Sequence, residues 1–318
     1  MVLHTIQYLL MKLYCSNHNN VLKRKDGDGF NHCLLWYCMK YFFSNIIIEV
    51  DGISLTPSSC FNEFRNQIFK KADIHIDVQI INSLSLKSPT VYEDENYIIC
   101  SDDGLETRIY KDGWKKPYAL LREYSYKEKK LYVLRERIAR VSQEIQMFNH
   151  LALERSMILK NIFLIHASFI KTLSGGILFT APSQTGKSTQ AALWEKYMGC
   201  EIINGDRAAI WKSDKGWITS GIPWCGSSSI TKNQMVPLKA IVMLKQSPEN
   251  KVSNIPVAQK IKFLMHEITI NPWNKEMIMC VQELLLDLCC DVAIVELACR
   301  PDEDAVKLLA KVLEVNHV

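Results

Sequence analysis

Residues 181–188 read APSQTGKS, a spacing typical of loops that bind phosphate groups. An apolar, strand-like stretch at residues 176–180 precedes them, and a helix-forming stretch follows. Backbone N–H groups at such a helix start point the same way and, with the helix dipole, attract phosphate oxygens. Lys187 would neutralise the β- and γ-phosphates, and the Ser188 hydroxyl would bind Mg²⁺. The pattern predicts a site for ATP and Mg²⁺.

The predicted nucleotide-binding residues all belong to this loop and the first turn of the helix: Ser183, Gln184, Thr185, Gly186, Lys187, Ser188 and Thr189. The loop departs from the usual pattern at its first position, where Ala181 replaces glycine, and Pro182 then stiffens the chain. A match by chance is the alternative. We favour the nucleotide site because few chance matches would also have the flanking strand and helix.

A candidate proton acceptor follows the next apolar stretch, residues 201–204. Asp206 would lie at a strand end beside the phosphate loop, where it could bind Mg²⁺ or accept a substrate proton. Alternatively, Asp206 is a solvated residue of a turn. Arg207 is either a phosphate clamp or a surface residue. His166 ends another apolar run, where a lone histidine is more often structural than catalytic.

Composition excludes several function classes. The chain has 318 residues, 48% of them apolar, and a formal net charge of +4, so we expect a folded protein without a nucleic-acid surface. No window reaches the roughly 18 apolar residues of a spanning helix. The eleven cysteines show no metal-ligand spacing. We therefore expect reduced, buried thiols in a cytoplasmic protein.

Periodicity predicts two domains, residues 1–135 and 136–318. The first would be a smaller, hairpin-rich α+β domain, because strand-like stretches alternate with Asp-Gly turns. Its predicted helices are residues 33–43 and 59–71. A helix over residues 136–160 would link it to the second domain, where apolar strands alternate with helices as in α/β proteins.

Residues 166–170 (HASFI), the phosphate loop with Thr189, and residues 203–207 (INGDR) together resemble the catalytic domain of HPr serine kinase/phosphatase. That domain is similar to the nucleotide domain of phosphoenolpyruvate carboxykinase. The resemblance covers residues 160–225. It implies a P-loop-containing α/β domain, a kinase that phosphorylates serine, and catalytic roles for His166, Lys187, Asp206 and Arg207, with Ser188 and Asp206 as metal ligands.

The family's acidic pair appears here as Gly205-Asp206, so one carboxylate is missing and phosphatase activity is not expected. Residues 220–229 resemble a feature of divergent members found beside peptide-modification enzymes, which implies a serine-bearing peptide or protein as acceptor. The same segment is equally compatible with a structural loop that packs Trp224 on the core.

Two other function classes remain open. A regulatory or scaffold module would bind ATP without efficient phosphoryl transfer, and the missing carboxylate would then mark a loss of activity. A carboxykinase-type enzyme is disfavoured, because the sequence shows no basic and metal-ligand cluster for an oxaloacetate-like substrate. The acceptor, the oligomeric state (a homo-oligomer is allowed) and the role of the N-terminal domain are not determined by the sequence.

Overall fold

Two large β-sheets organise the chain in the computed structural model, which describes residues 38–65, 70–85, 89–113 and 116–316. Within these residues, the first sheet has eight strands in the order β1-β2-β3-β8-β7-β6-β5-β4. The strands are β1 (Met39–Phe43), β2 (Ile46–Asp51), β3 (Ile74–Ile81), β4 (Thr90–Glu93), β5 (Tyr97–Asp102), β6 (Leu105–Lys111), β7 (Pro117–Glu123) and β8 (Glu128–Leu134).

Antiparallel neighbours dominate this sheet, but β3 pairs in parallel with both β2 and β8. The buried positions of β3 alternate along most of its length, as its sequence IHIDVQII predicts. Asp103 and Gly104 have positive φ angles and form the hairpin between β5 and β6. Gly52 also has a positive φ, but it ends a strand whose next partner is parallel, so this Asp-Gly pair makes no hairpin.

The second sheet contains the predicted phosphate loop. Its strands are β9 (Phe163–Thr172), β10 (Gly175–Thr180), β11 (Glu201–Asn204), β12 (Arg207–Ser213), β13 (Gly216–Gly221), β14 (Met235–Gln246), β15 (Lys251–Ser253) and β16 (Ala293–Cys299). The order is β10-β9-β12-β13-β14-β16-β15; β11 pairs with β9, and β10 also pairs with β14 in parallel. Every residue of β10 is buried, which explains its continuous apolar sequence.

Six α-helices lie within the described residues: α1 (Glu144–Phe148), α2 (Leu153–Ile158), α3 (Lys187–Met198), α4 (Val257–Glu267), α5 (Lys275–Asp291) and α6 (Glu303–Leu313). Short 3₁₀ turns occupy Ser59–Phe61, Arg135–Arg140 and Gly226–Ser228. Helices α3 and α6 pack with β10, β14 and β16 around Trp194, whereas α4 and α5 pack with β9, β12 and β14 around Leu285. Helices therefore pack with the second sheet in two separate hydrophobic cores.

Three helix predictions are wrong. Residues 136–160 do not form one helix, because Ala152 adopts a left-handed conformation (φ 45°) between the short helices α1 and α2. Of residues 59–71, the described part has helical structure only at Ser59–Phe61, a single 3₁₀ turn. Of residues 33–43, Met39–Phe43 form strand β1 through pairing with β2, and residues 33–37 lie outside the described residues.

The prediction that all cysteines are reduced is also wrong. Cys60 and Cys225, which are 165 residues apart in sequence, form a disulfide. Among the other described cysteines, Cys38 and Cys290 are exposed, whereas Cys200 is buried. Sequence spacing could not indicate this bond, because its partners lie in two turns far apart in the chain and only the fold brings them together.

The coarse prediction of a mixed α/β protein is confirmed by the two sheets and their helices. No helix in the described ranges has the length and apolar character needed to cross a bilayer. The predicted boundary between residues 135 and 136 follows the last strand of the first sheet. It stays a prediction, as does the P-loop-containing fold of the second part.

Candidate functional site

The loop after β10 turns sharply into helix α3. Gln184 and Gly186 both have positive φ angles, 66° and 113°. Gly186 is the N-cap residue of α3, a helix of 12 residues, and no side chain of the described residues caps this end. The first N–H groups of α3 are therefore left for a ligand, the arrangement that binds phosphate at helix starts.

Lys187 is folded back over this loop. Its Nζ donates to the carbonyl oxygens of Ala181 at 2.7 Å and Pro182 at 3.3 Å. The residue is only 8% exposed, and burial lowers the pKa of its ammonium group. In contrast, Ser188 and Thr189 are exposed at the helix start. The loop thus combines a buried cation, the N–H groups of a helix start and an exposed hydroxyl.

The His166 ring lies between two carboxylates. Its Nε2 is 3.6 Å from Oδ1 of Asp206, and its Nδ1 is 3.5 Å from Oε2 of Glu267. Both distances suit ion pairs and exceed ordinary hydrogen bonds. The contact with Asp206 makes the largest contribution to raising the pKa of His166, and the contact with Glu267 raises it further. The structure therefore brings together two predicted residues and one carboxylate that the sequence did not reveal.

Glu267 reaches the site because α4 ends beside strand β9. Ile268, the residue after the helix, forms an isolated bridge with Ile165. The Thr269 N–H then donates to the Leu164 carbonyl at 2.8 Å. These backbone contacts fix the end of α4 against the strand that carries the histidine, and they bury Glu267 to 8% exposure.

Asp206 is positioned by the buried side chain of Asn204. Its Oδ1 accepts from the backbone N–H groups of Asp206 at 2.8 Å and Arg207 at 2.9 Å. Its Nδ2 donates to the Ile222 carbonyl at 2.8 Å. The pKa of Asp206 is held below its usual range mainly by His166 and also by Arg207, which is 3.4 Å away. The carboxylate is therefore ionised at neutral pH.

Gly205 lies against the loop that follows β13. A Cβ atom at residue 205 would be 2.1 Å from Oγ of Ser228, and one at Gly226 would be 2.7 Å from Cγ of Asp206. The space that a second adjacent carboxylate would need is therefore occupied by Ser228. Glu267, from a distant part of the chain, places a second carboxylate on the other side of His166 instead.

The segment at residues 220–229 is mainly a packed loop. The Trp224 ring lies edge-on to Phe43 and Phe148, with centroids 6.0 and 5.9 Å apart, and its Nε1 donates to Oδ1 of Asn149. The next residue, Cys225, forms the disulfide with Cys60, which lies in the 3₁₀ turn between β2 and β3. This geometry favours the structural interpretation of Trp224, while the exposed Ser227 lies next to the part of the loop that contacts Asp206.

No protein-family model matches the sequence, and no curated protein matches it. Among solved structures, one similar chain is the HPr(Ser) kinase/phosphatase from Coxiella burnetii. The comparison has 13% sequence identity and a TM-score of 0.22, and it covers 40% of this chain and 90% of that chain. At this level it establishes neither a common fold nor a common activity.

The predicted site residues thus form two neighbouring groups, the phosphate loop with Lys187 and the His166, Asp206 and Arg207 group. Arg207 pairs in register with His166 across β12 and β9, and its Nη1 contacts Thr269 at 3.4 Å. Sequence reasoning missed Glu267 and Asn204. An asparagine two residues before Asp206 was a readable turn signal, but Glu267 has no local signal.

Proposed function

We propose that this protein is an ATP-dependent kinase that transfers the γ-phosphoryl group to a serine-type hydroxyl of a peptide or protein. The observation that carries the proposal is the position of the phosphate loop beside Asp206. Thr180, the last residue before the loop, donates from Oγ1 to the His166 carbonyl at 2.9 Å, and Nε2 of His166 is 3.6 Å from Oδ1 of Asp206. Phosphoryl transfer mainly needs positioning and charge neutralisation, which a phosphate loop beside an ionised carboxylate supplies.

In this proposal, the α3 N–H groups and Lys187 bind the phosphate chain, and Lys187 exchanges its loop carbonyl partners for phosphate oxygens. Asp206 accepts the proton of the acceptor hydroxyl while that oxygen attacks the γ-phosphorus. The bond from phosphorus to the β–γ bridging oxygen breaks, and ADP leaves. Protonated His166, between Asp206 and Glu267, holds the Asp206 carboxylate in place, and Arg207 offers a second positive charge.

Mg²⁺ fits the donors of this site, since Ser188 offers a hydroxyl and Asp206 a carboxylate, both hard oxygen ligands. The contacts of Asp206 with His166 and Arg207, at 3.6 and 3.4 Å, are too long to occupy its oxygen lone pairs fully. When bound, the ion would supply charge neutralisation on the phosphates. The remaining steps depend on the chain's own residues.

The acceptor is proposed to approach from the loop at residues 222–229. This loop contacts Asp206 through Gly226, and its Trp224 packs on Phe43 of the first sheet. Its Cys225 is bonded to Cys60, in the turn between β2 and β3. The first sheet therefore adjoins the loop beside the proposed proton acceptor, where a peptide could be recognised. A peptide or protein bearing a serine is the acceptor class that we propose.

The test is transfer of label from γ-labelled ATP to serine-containing peptides, including those encoded by neighbouring genes. Lys187→Ala and Asp206→Asn should each lower transfer at least about 100-fold, the usual minimum for removing a catalytic proton acceptor or a phosphate-binding charge. Matched controls are Lys196→Ala, at the exposed far end of α3, and Asp214→Asn, in an exposed turn. These controls should retain full activity.

Nucleotide binding separates this proposal from its alternative. If ATP binds through Lys187 but no label reaches any peptide, free serine or the protein itself, the chain is an ATP-binding regulatory or scaffold module. Gly205, at the position of the absent carboxylate, is the observation that favours that alternative. If neither ATP nor its phosphate chain binds, both functions are wrong.

Glu267→Gln tests the second carboxylate by a pH–rate profile. Removing its charge should lower the pKa of His166 and move the alkaline limb of the profile to lower pH, because the protonated ring then persists over a narrower range. Glu249→Gln, at an exposed position, is the control. An unchanged alkaline limb in Glu267→Gln would remove His166 and Glu267 from the proposed mechanism.

A further inference from the structure

A cleft of about 560 Å³ opens beside the phosphate loop, on the side of β14 and β16. It runs from Gly186 and Thr189 at the start of α3 to Arg300 and Pro301, just before α6. Leu244 and Pro248 add apolar surface. Its volume falls in the range of roughly 300–1,000 Å³ that is usual for small-molecule sites.

The strand order places this cleft opposite the carboxylates. Thr180, the last residue of β10 before the loop, pairs with Ala167 of β9 on one side and with Met243 of β14 on the other. His166 lies next to Ala167, whereas the cleft begins at Leu244, next to Met243. A ligand whose phosphate chain crosses the loop would thus have one end near His166 and the other in the cleft.

Gln190 provides an independent indication of a ligand. It lines the cleft yet is only 3% exposed. Its Nε2 donates to Sγ of Cys299 at 3.2 Å, while its Oε1 has no hydrogen-bond partner among the described residues. A buried carbonyl oxygen without a partner is unfavourable, so a donor group supplied by a ligand would stabilise it.

Resting on the proposed function, we propose that this cleft binds the nucleoside half of the nucleoside triphosphate, with Oε1 of Gln190 accepting a hydrogen bond from it. The donor is an O–H of the ribose or the exocyclic N–H of the base. Because Nε2 is engaged by Cys299, the group of Gln190 that is left to bind a ligand is the acceptor Oε1. Leu244, Pro248 and Pro301 offer the apolar surface that a flat base needs.

The experiment compares the affinities of the full chain for ATP and for inorganic tripolyphosphate by calorimetry. Gln190→Met keeps the length of the side chain but removes the acceptor, and should weaken ATP binding about 3- to 10-fold, the loss expected for one hydrogen bond. Tripolyphosphate, which contacts only the phosphate loop, should bind the variant and the unaltered protein equally. Gln259→Met, at an exposed position of α4, should change neither affinity.

Two further arms identify the donor. If 2′,3′-dideoxy-ATP binds equally well to the Gln190→Met variant and the unaltered protein, the donor is a ribose hydroxyl. If inosine triphosphate, which lacks the amino group, binds equally well to the variant and the unaltered protein, the donor is the base. The assignment of Gln190 as acceptor would be overturned if Gln190→Met weakened the binding of ATP, 2′,3′-dideoxy-ATP and inosine triphosphate alike. It would also be overturned if the variant weakened the binding of none of them.

A second variant covers the case in which Gln190→Met fails to fold. Pro248 is exposed at the cleft, and Pro248→Trp should fill it, weakening ATP but not tripolyphosphate. If the unaltered protein binds tripolyphosphate as tightly as ATP, the nucleoside subsite is absent while the phosphate site stands. If it binds neither compound, the proposed function itself is wrong.

Discussion

Replacing Gly205 by alanine should destabilise the protein, because a side chain there collides with the loop beside the site. The added methyl group would lie 2.1 Å from Oγ and 2.6 Å from Cβ of Ser228. Ser228 cannot turn away freely, since its Oγ donates to the Cys225 carbonyl at 2.8 Å and accepts from the Ile230 N–H at 3.2 Å. Cys225 is in turn held by its disulfide.

The magnitude follows from these contacts. Overpacking a closely packed position costs about 1–3 kcal/mol, and moving Ser228 forfeits hydrogen bonds worth about 1 kcal/mol. The φ of Gly205 is not positive, so alanine adds no left-handed strain. We therefore expect Gly205→Ala to lower the free energy of unfolding by about 3 kcal/mol, the middle of the overpacking range plus the lost hydrogen bonds.

The assay is urea unfolding, followed by tryptophan fluorescence, of Gly205→Ala, Ser228→Gly, the double variant and the unaltered protein. Ser228→Gly removes both colliding atoms, so in that background alanine at residue 205 should cost less than about 0.5 kcal/mol. If alanine costs the same in both backgrounds, or nothing in either, the collision is not what keeps residue 205 a glycine. Gly205→Asp should likewise fail to raise phosphoryl transfer.

Two other predictions concern stability. Replacing both Cys60 and Cys225 by serine should lower the free energy of unfolding by about 2–5 kcal/mol, the usual value for a bond that closes a long loop, and equal urea midpoints with and without reductant would contradict it. Contacts of His75 with Asp51 and Glu128, both at 2.9 Å, raise its pKa from 6.5 to about 9. The stabilisation that comes from this raised folded-state pKa is fully present below about pH 6.5 and is lost as the pH rises through about 9. After allowance for solvent screening, His75→Gln should therefore cost about 1 kcal/mol at about pH 6 and nearly nothing at about pH 10, and an equal cost at both would contradict it.

The local sequence was sufficient to predict the strand and the helix that flank the loop at residues 181–188. The predicted strand at residues 176–180 and the helix from Lys187 are present as β10 and α3. Such elements are specified by neighbouring residues: a buried apolar run, a glycine that adopts a positive φ, and good helix formers. The chemistry proposed for the loop stays a prediction.

Periodicity was less reliable where tertiary contacts compete with it. Residues 136–160 have helical spacing, yet the chain breaks at Ala152. Nearby carbonyl groups of Leu151 and Ala152 accept from the buried ammonium group of Lys129, so this break is stabilised by a strand far away in sequence. Intrinsic propensity is weak compared with such contacts.

What the sequence determined by itself is the identity and local order of the loop residues, because hydrogen bonds and dipoles at a helix start depend on adjacent residues. Only the tertiary structure decided that Glu267 joins His166 and that Cys60 pairs with Cys225. It also decided that Gln190 lines a cleft while its Oε1 has no hydrogen-bond partner among the described residues. These contacts join residues far apart in the chain, and they arise because strand pairing and burial, not sequence spacing, set which surfaces meet.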